Sequence, residues 1–182
     1  GGEARVAVAD VSRSEQVTAY VADAMQAWGR IDIFMNNAAW QGPIHPLVDY
    51  PEAMFDKVMD INVKGVFLGL QQVLPVMIAQ GKGAVVNTGS LGSYIGTRAL
   101  GPYTASKHAV AGWSDSLADE VRPLGIKVTC IEPGPFRTDW AGRSLRQTPN
   151  LIADYAETAG IRMKNTAGAS GTVNIPVTIT AV

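Results

Sequence analysis

The sequence predicts an α/β protein built on a parallel, doubly wound sheet, and three observations carry that expectation. Short apolar, β-branched runs recur along the chain. Long stretches of helical periodicity separate them. The runs are continuously apolar rather than alternating, the pattern of strands buried on both faces. In chain order, residues 4–9 read as a short buried strand ending at Asp10. Residues 14–28 carry Val17, Val21, Ala24 and Met25 at helical spacing, with Ser12 or Ser14 as N-cap. Residues 31–36 form a second apolar strand. A turn-rich loop with Gly42-Pro43, Pro46 and Pro51 follows. One long helix is expected over 52–79, bent at Pro75 and stopped by Gly81. Residues 84–88 are a third strand, 103–124 a helix stopped by Gly125, and 126–131 a fourth strand ended by Pro133-Gly134-Pro135.

The 182 residues suffice for one domain with a real core, and a chain of this length buries roughly 70% of its unfolded surface. The expected organisation is a single domain over 1–182 with a divergent segment at 141–182. Residues 166–182 turn small, polar and β-branched, with a strand expected at 177–182. Apolar residues make up 47% and charged residues 17%, which is ordinary for a globular α/β protein. The net charge of −1, with no basic face, argues against nucleic acid and anionic membranes as partners. The single cysteine, Cys130, excludes a disulfide framework and a cysteine-rich metal centre, and its apolar neighbours predict a buried core thiol. No metal site is expected. No apolar run reaches the roughly 18 residues of a membrane span, and no leader is visible, although the start at Gly1-Gly2-Glu3 leaves an upstream segment open. The expected location is the cytoplasm.

The chemistry-bearing residues cluster near the carboxyl ends of the predicted strands. Tyr103 and Lys107, four apart on a helix, share one face. An ammonium beside a phenol favours the phenolate, and a tyrosine tuned this way can exchange a proton with an alcohol or carbonyl near neutral pH. Ser90 follows the third strand, where parallel sheets build ligand sites, and its hydroxyl could polarise a substrate oxygen. Asn62 and Gly65 are poor helix formers inside a strong helix. Two readings of them stay open: a break whose free carbonyl holds a relay water, or close packing at Gly65. Asn36 and Asn37 end a strand, where adjacent amides can tie neighbouring strands together, and Ala38 and Ala39 would let a flat ligand approach the backbone.

Taken together, these motifs resemble the classical short-chain dehydrogenase/reductase family over about residues 3–140. The family carries Asn-Asn-Ala-Gly, a helix asparagine, a serine and Tyr-x-x-x-Lys in this chain order, matched here by residues 36–39, Asn62, Ser90, Tyr103 and Lys107. Asp10-Val11 resembles its adenine-contacting Asp-Val. Residues 133–138 resemble its Pro-Gly-x-x-x-Thr. The resemblance implies a Rossmann-like fold and an oxidoreductase that interconverts an alcohol and a ketone or aldehyde with NAD or NADP. It implies Tyr103 as general acid/base, Lys107 lowering its pKa and holding the nicotinamide ribose, Ser90 orienting the carbonyl, and Asn62 holding a relay water. Asp10 and Val11 would flank the adenine. Asn37, Ala38 and Ala39 would line the cofactor channel, Pro133 and Gly134 would border the nicotinamide, and Thr138 would contact its carboxamide. It further implies a small-molecule substrate, and a homodimer or homotetramer formed through the helices at 52–79 and 103–124.

Two departures from the family set further expectations. Ala39 stands where the family has glycine, a mild change if its φ is ordinary. The family's first two strands and Gly-x-x-x-Gly-x-Gly loop, which cradles the pyrophosphate at a helix N-terminus, do not occur in this sequence. The Rossmann-like sheet is therefore expected to be incomplete, leaving residues 4–9 an orphan and residues 31–36 an exposed edge. A fragment, a truncated gene model or an incomplete copy is the expected origin. The alternative functional reading is an inactive remnant with a structural or partner-binding role. A sugar-nucleotide epimerase is a third reading, disfavoured by the asparagine and Asp-Val motifs. Among other residues, His45 is expected to be a solvated loop histidine and His108 structural. Trp40 and Trp140 are candidate pocket walls, and Trp113 a core or interface residue. Arg137, Arg143 and Arg146 are expected to form a solvated basic face.

Overall fold

The computed structural model describes residues 3–134. The segment from Pro135 to Thr138, with Trp140, Arg137, Arg143, Arg146 and the expectations for 141–182, lies outside the described residues. Helix α1 spans Ser14–Trp28 and buries Val17 and Val21, the face its apolar spacing predicts. Its N-cap is Arg13 without a side-chain cap. Neither serine fills that role: Ser14 is already helical, and the Ser12 hydroxyl donates to Asp10 Oδ1 at 2.7 Å. Strand β1 spans Ile33–Asn36.

The expected single helix over 52–79 is instead two helices joined by a wider turn. Helix α2 spans Glu52–Met59, a π-helical turn covers Asp60–Lys64, and α3 spans Gly65–Gln80. The π turn contains the weak helix former Asn62 and ends just before Gly65, and π turns are frequent at functional positions. By length and mean hydropathy the combined run Glu52–Gln80 could cross a membrane. Its buried side chains instead pack on the sheet, where Val66, Leu70 and Met77 join the main core. Strand β2 spans Gly83–Thr88, helix α4 Gly101–Val121 and strand β3 Ile126–Ile131. Helix α4 starts two residues earlier than expected because Pro102, whose missing N–H costs nothing in a first turn, opens it. Gly81 and Gly125 end the α3 and α4 runs at φ 67° and 76°, as glycine at these stops predicts.

The three strands are parallel in the order β1-β2-β3, with Phe34, Val85 and Val128 in one row and Asn36, Asn87 and Cys130 in another. These rows face the helices. The core joins Val66, Leu70 and Met77 to Val85, Val110, Leu117, Val121 and Ile126. Among the described residues the helices cover this face alone. On the other face Ile33 is 70% and Met35 54% exposed. The fold is thus the Rossmann-like parallel α/β sheet, incomplete over the described residues, with β1 as the exposed edge. An open cavity of about 560 Å³ lies beside β1, lined by Tyr20, Val21, Trp28, Ile31, Phe34 and Val73 among others.

Residues 4–9 form no strand, contrary to the expectation for that segment. Val6 and Val8 are almost fully exposed. A strand needs a neighbouring ladder for its N–H and C=O groups, and no described strand lies beside this segment.

Candidate active site

Parallel strands deliver their carboxyl ends to one edge of the sheet, and the loops after β1, β2 and β3 converge there with the start of α4. On α4, Tyr103 and Lys107 share a face, and Lys107 Nζ lies 5.7 Å from the Tyr103 ring centroid. Lys107 is 2% exposed, and its ammonium donates to the Thr88 carbonyl at 2.7 Å. Burial disfavours its charged form and pushes its pKa down to about 8, with the nearby Cys130 opposing weakly. At pH 7 the amine is still mostly cationic, so a buried positive charge faces the Tyr103 ring. Cys130 is itself half-buried, and burial pushes its thiol up, in keeping with an unreactive core position.

Ser90 opens a 3₁₀ turn over Leu91–Ser93, and its Oγ accepts the Gly92 N–H at 3.1 Å. A Cβ built on Gly92 would stand 3.5 Å from Ser90 Oγ and 3.6 Å from Tyr103 Cε1, so the hydroxyl and the ring flank one glycine. The Pro133 carbonyl accepts the Leu91 N–H at 3.0 Å, which ties the loop after β3 to this turn, and Gly134 follows it half-buried. Thr138 lies outside the described residues.

The amides after β1 hold strands together as their sequence position suggested. Asn36 Nδ2 donates to Asn87 Oδ1 at 2.9 Å, and Thr88 Oγ1 donates to Asn37 Oδ1 at 3.3 Å. Asn62 is 1% exposed and its side chain is fully engaged. Its Oδ1 accepts from Trp40 N at 2.7 Å, and its Nδ2 donates to the Trp40 carbonyl and to Ser106 Oγ, both at 2.9 Å. Close packing at Gly65 also holds, since a Cβ there would meet Val11 Cγ2 at 2.9 Å. Val11, Asn37 and Ala38 come together, with Ile61 and Gly65, around a cavity of about 200 Å³. Asp10, next to Val11 in the chain, has its carboxylate held below the usual range first by the Ser12 hydroxyl and then by the Ser12 N–H. Ala39 is not on that cavity's wall. Its φ is not positive, so the methyl in place of glycine brings no backbone strain.

His45 departs from the expectation of a solvated loop residue. It is half-buried, its Nδ1 is buried without a partner, and its ring lies edge-on to Tyr50 with centroids 6.2 Å apart. His108 is exposed, with Nδ1 3.0 Å from the Thr104 carbonyl. Trp113 packs against the core and against Phe67, ring centroids 5.7 Å apart. Trp40 stacks under Lys57 Nζ at 4.7 Å, with its backbone pinned by Asn62. The sequence reading passed over the buried serines and Asn87. Ser106 Oγ donates to the Tyr103 carbonyl at 2.7 Å, and Asn87 Nδ2 donates to Ser114 Oγ at 3.0 Å. It also passed over Ala99, whose φ of 61° lies within the turn before Leu100, where Ile44 and Leu100 pack with Tyr103. Among the described residues no His, Cys, Asp and Glu cluster could hold a metal.

Comparison with known proteins gives a consistent picture. The family model described as short chain dehydrogenase matches residues 1–149. Levodione reductase of Leifsonia aquatica is 43% identical over 145 residues, covering 80% of this chain and 54% of that protein. The chain spans 54–61% of the length of three curated relatives. Among solved structures, an NAD+-bound xylitol dehydrogenase superposes with a TM-score of 0.70 at 36% identity, over 72% of this chain and 50% of that one. A gluconate 5-dehydrogenase from Burkholderia cenocepacia, in complex with NADP and tartrate, gives 0.70 at 32% identity, over 75% of this chain and 53% of that one.

Proposed function

This chain belongs to the short-chain dehydrogenase family, and from that premise we propose that the protein is an NAD(P)-dependent oxidoreductase that interconverts an alcohol and a ketone or aldehyde. The observation that carries the reading is Lys107, a buried cation fixed between the Thr88 carbonyl and the Tyr103 ring. Burying an ammonium costs stability, and an ammonium facing a tyrosine ring is an arrangement that a proton-exchanging site would use.

The residues present fit part of a nicotinamide dinucleotide, since the glycine-rich loop that would cradle its pyrophosphate does not occur in this sequence. The small cavity at the end of β1 offers Val11 and Ala38 as flat apolar walls, and Asn37 closes it with an amide. Bound there, the dinucleotide would supply or accept the hydride. The chain supplies the rest. In the reducing direction the Tyr103 hydroxyl donates its proton to the substrate oxygen, and in the oxidising direction the phenolate takes it back. Lys107 stabilises the phenolate and is the candidate partner of the ribose. Ser90, across Gly92 from the Tyr103 ring, orients the carbonyl oxygen by a hydrogen bond. The Asn62 side chain holds the Trp40 backbone and, through Ser106, the carbonyl of Tyr103, which leaves its main-chain carbonyl as the candidate holder of a relay water. Levodione, xylitol and gluconate, which occur in the names of three relatives, are the compounds to test first.

Titration of the purified chain with NADH and NADPH tests the reading, following nicotinamide fluorescence and thermal stability together. Saturable binding of at least one cofactor with a rising Tm would support the reading, at an affinity well below that of a chain carrying the pyrophosphate loop. Tyr103→Phe should keep that binding while turnover of a ketone falls by about 100-fold or more. A folded chain that binds neither cofactor would sink the proposal.

A further inference from the structure

Ser93 stands between two of the candidate reacting residues. It is 5% exposed and closes the 3₁₀ turn after β2. Its Oγ accepts the Ser90 backbone N–H at 3.2 Å and donates to the Lys107 carbonyl at 3.2 Å. A hydroxyl can do both at once, as an alanine or glycine cannot. The room for it comes from Gly89, where a Cβ would stand 3.0 Å from Ser93 Oγ. Lys107 is consequently anchored to the end of β2 at two points: its carbonyl through Ser93, and its amine through the Thr88 carbonyl. Ser90 is anchored within the same turn, its N–H on Ser93 and its Oγ on Gly92.

We propose that Ser93 is a positioning residue, whose single hydroxyl sets the spacing between the Ser90 hydroxyl and the Lys107 amine by bonding the backbone of both. What the two positioned groups then do rests on the oxidoreductase reading above. Without the hydroxyl, the turn loses its bond to α4 and the Ser90 N–H loses its partner. The expected consequence is a turn loosened from α4, which would admit water to the Lys107 amine and relieve the burial that suppresses its charge.

The test reads Lys107 directly and needs no cofactor. The full chain is pulsed with acetic anhydride across a pH series from about 6 to about 11, and acylation at Lys107 is followed by mass spectrometry. The unaltered chain should show a midpoint near 8. Ser93→Ala should raise that midpoint by about one pH unit or more, toward the ordinary lysine value. Ser93→Thr, which keeps the hydroxyl, should hold it, and Ser93→Cys, a weaker donor, should fall between. The other titratable groups near the amine are Tyr103 on its own helix and Cys130 on β3, so the series is repeated with Cys130→Ser and the same shifts are expected. If Ser93→Ala and Ser93→Cys lower Tm yet leave the midpoint where it was, Ser93 is structural and the proposal fails. Failure of NADH and NADPH binding would defeat the oxidoreductase reading and leave this result standing, so the two are separable.

Discussion

At the scale of single residues, the site depends on an energetic cost at Lys107. In an unfolded chain its amine titrates at 10.5, and in the fold at about 8. Between those values the unfolded state binds more protons, so stability rises with pH through that window. The burial penalty is fully present below pH 8 and is relieved as pH rises toward 10.5. Its upper size is about 3 kcal/mol. Lys107→Met removes the titration, and the Thr88 carbonyl loses one partner in exchange. The variant should therefore compare most favourably with the parent at neutral pH and lose that relative advantage at about pH 10. Urea unfolding of both chains at the two pH values measures the difference. A parent and variant whose stability gap is the same at both would show that Lys107 carries no such penalty. Tyr103, Lys107, Ser90 and Asn62 were legible in the sequence because they follow one family's motifs in chain order, each being weak alone. Ser93 and Ser106 were not. A serine's sequence neighbours do not say whether its hydroxyl meets water or a buried partner, and each hydroxyl here has one partner on another element.

At the scale of elements, the stops of the helices decide how the sheet is entered. Gly29 and Gly125 both take positive φ, 68° and 76°, at the ends of helical runs. They differ in surroundings. A Cβ at Gly29 would meet open space, whereas one at Gly125 would drive into the carbonyl oxygen of Gly81, the glycine that ends α3. Gly29→Ala should accordingly cost about 1 kcal/mol, the left-handed penalty alone. Gly125→Ala adds a backbone clash that no rotamer relieves and should cost roughly 2–4 kcal/mol. Denaturation midpoints compare them, and equal losses would contradict the idea that the two glycine stops pack on each other. The elements themselves were largely legible. Helix α1 begins and ends where the spacing of Val17 and Val21 with Gly29 indicates, and β3 matches residue for residue. The π turn was legible only as an anomaly at Asn62 and Gly65. Its geometry follows from contacts that Asn62 makes to Trp40 and Ser106, which periodicity does not encode.

At the scale of the molecule, the described residues present two apolar surfaces, and they predict different modes of self-association. The resemblance leads to pairing through the helices at 52–79 and 103–124. On that face Phe67 is 38% exposed and already leans on Trp113. The sheet offers more: on β1 Ile33 is 70% and Met35 54% exposed, beside the apolar cavity against α1. β1 is also the end strand in the order β1-β2-β3, so its outer N–H and C=O groups have no described strand beside them. Even a four-residue apolar edge offers another strand unpaired backbone groups, and pairing adds to side-chain burial there. The 182-residue chain by itself should therefore associate at micromolar concentration through β1. Met35→Lys, which places a charge on the exposed face of that edge, should shift it toward the monomer in size-exclusion chromatography with light scattering. Phe67→Glu should leave the association as it was. The opposite pattern, with Phe67→Glu dissociating the chain and Met35→Lys inert, would assign assembly to the helices and leave the sheet edge covered by other means. The edge was foreseeable from motif order, which placed residues 31–36 at the margin of the strands present. How far it is exposed was not, because exposure is set by what packs against a strand and not by the strand's own apolar sequence.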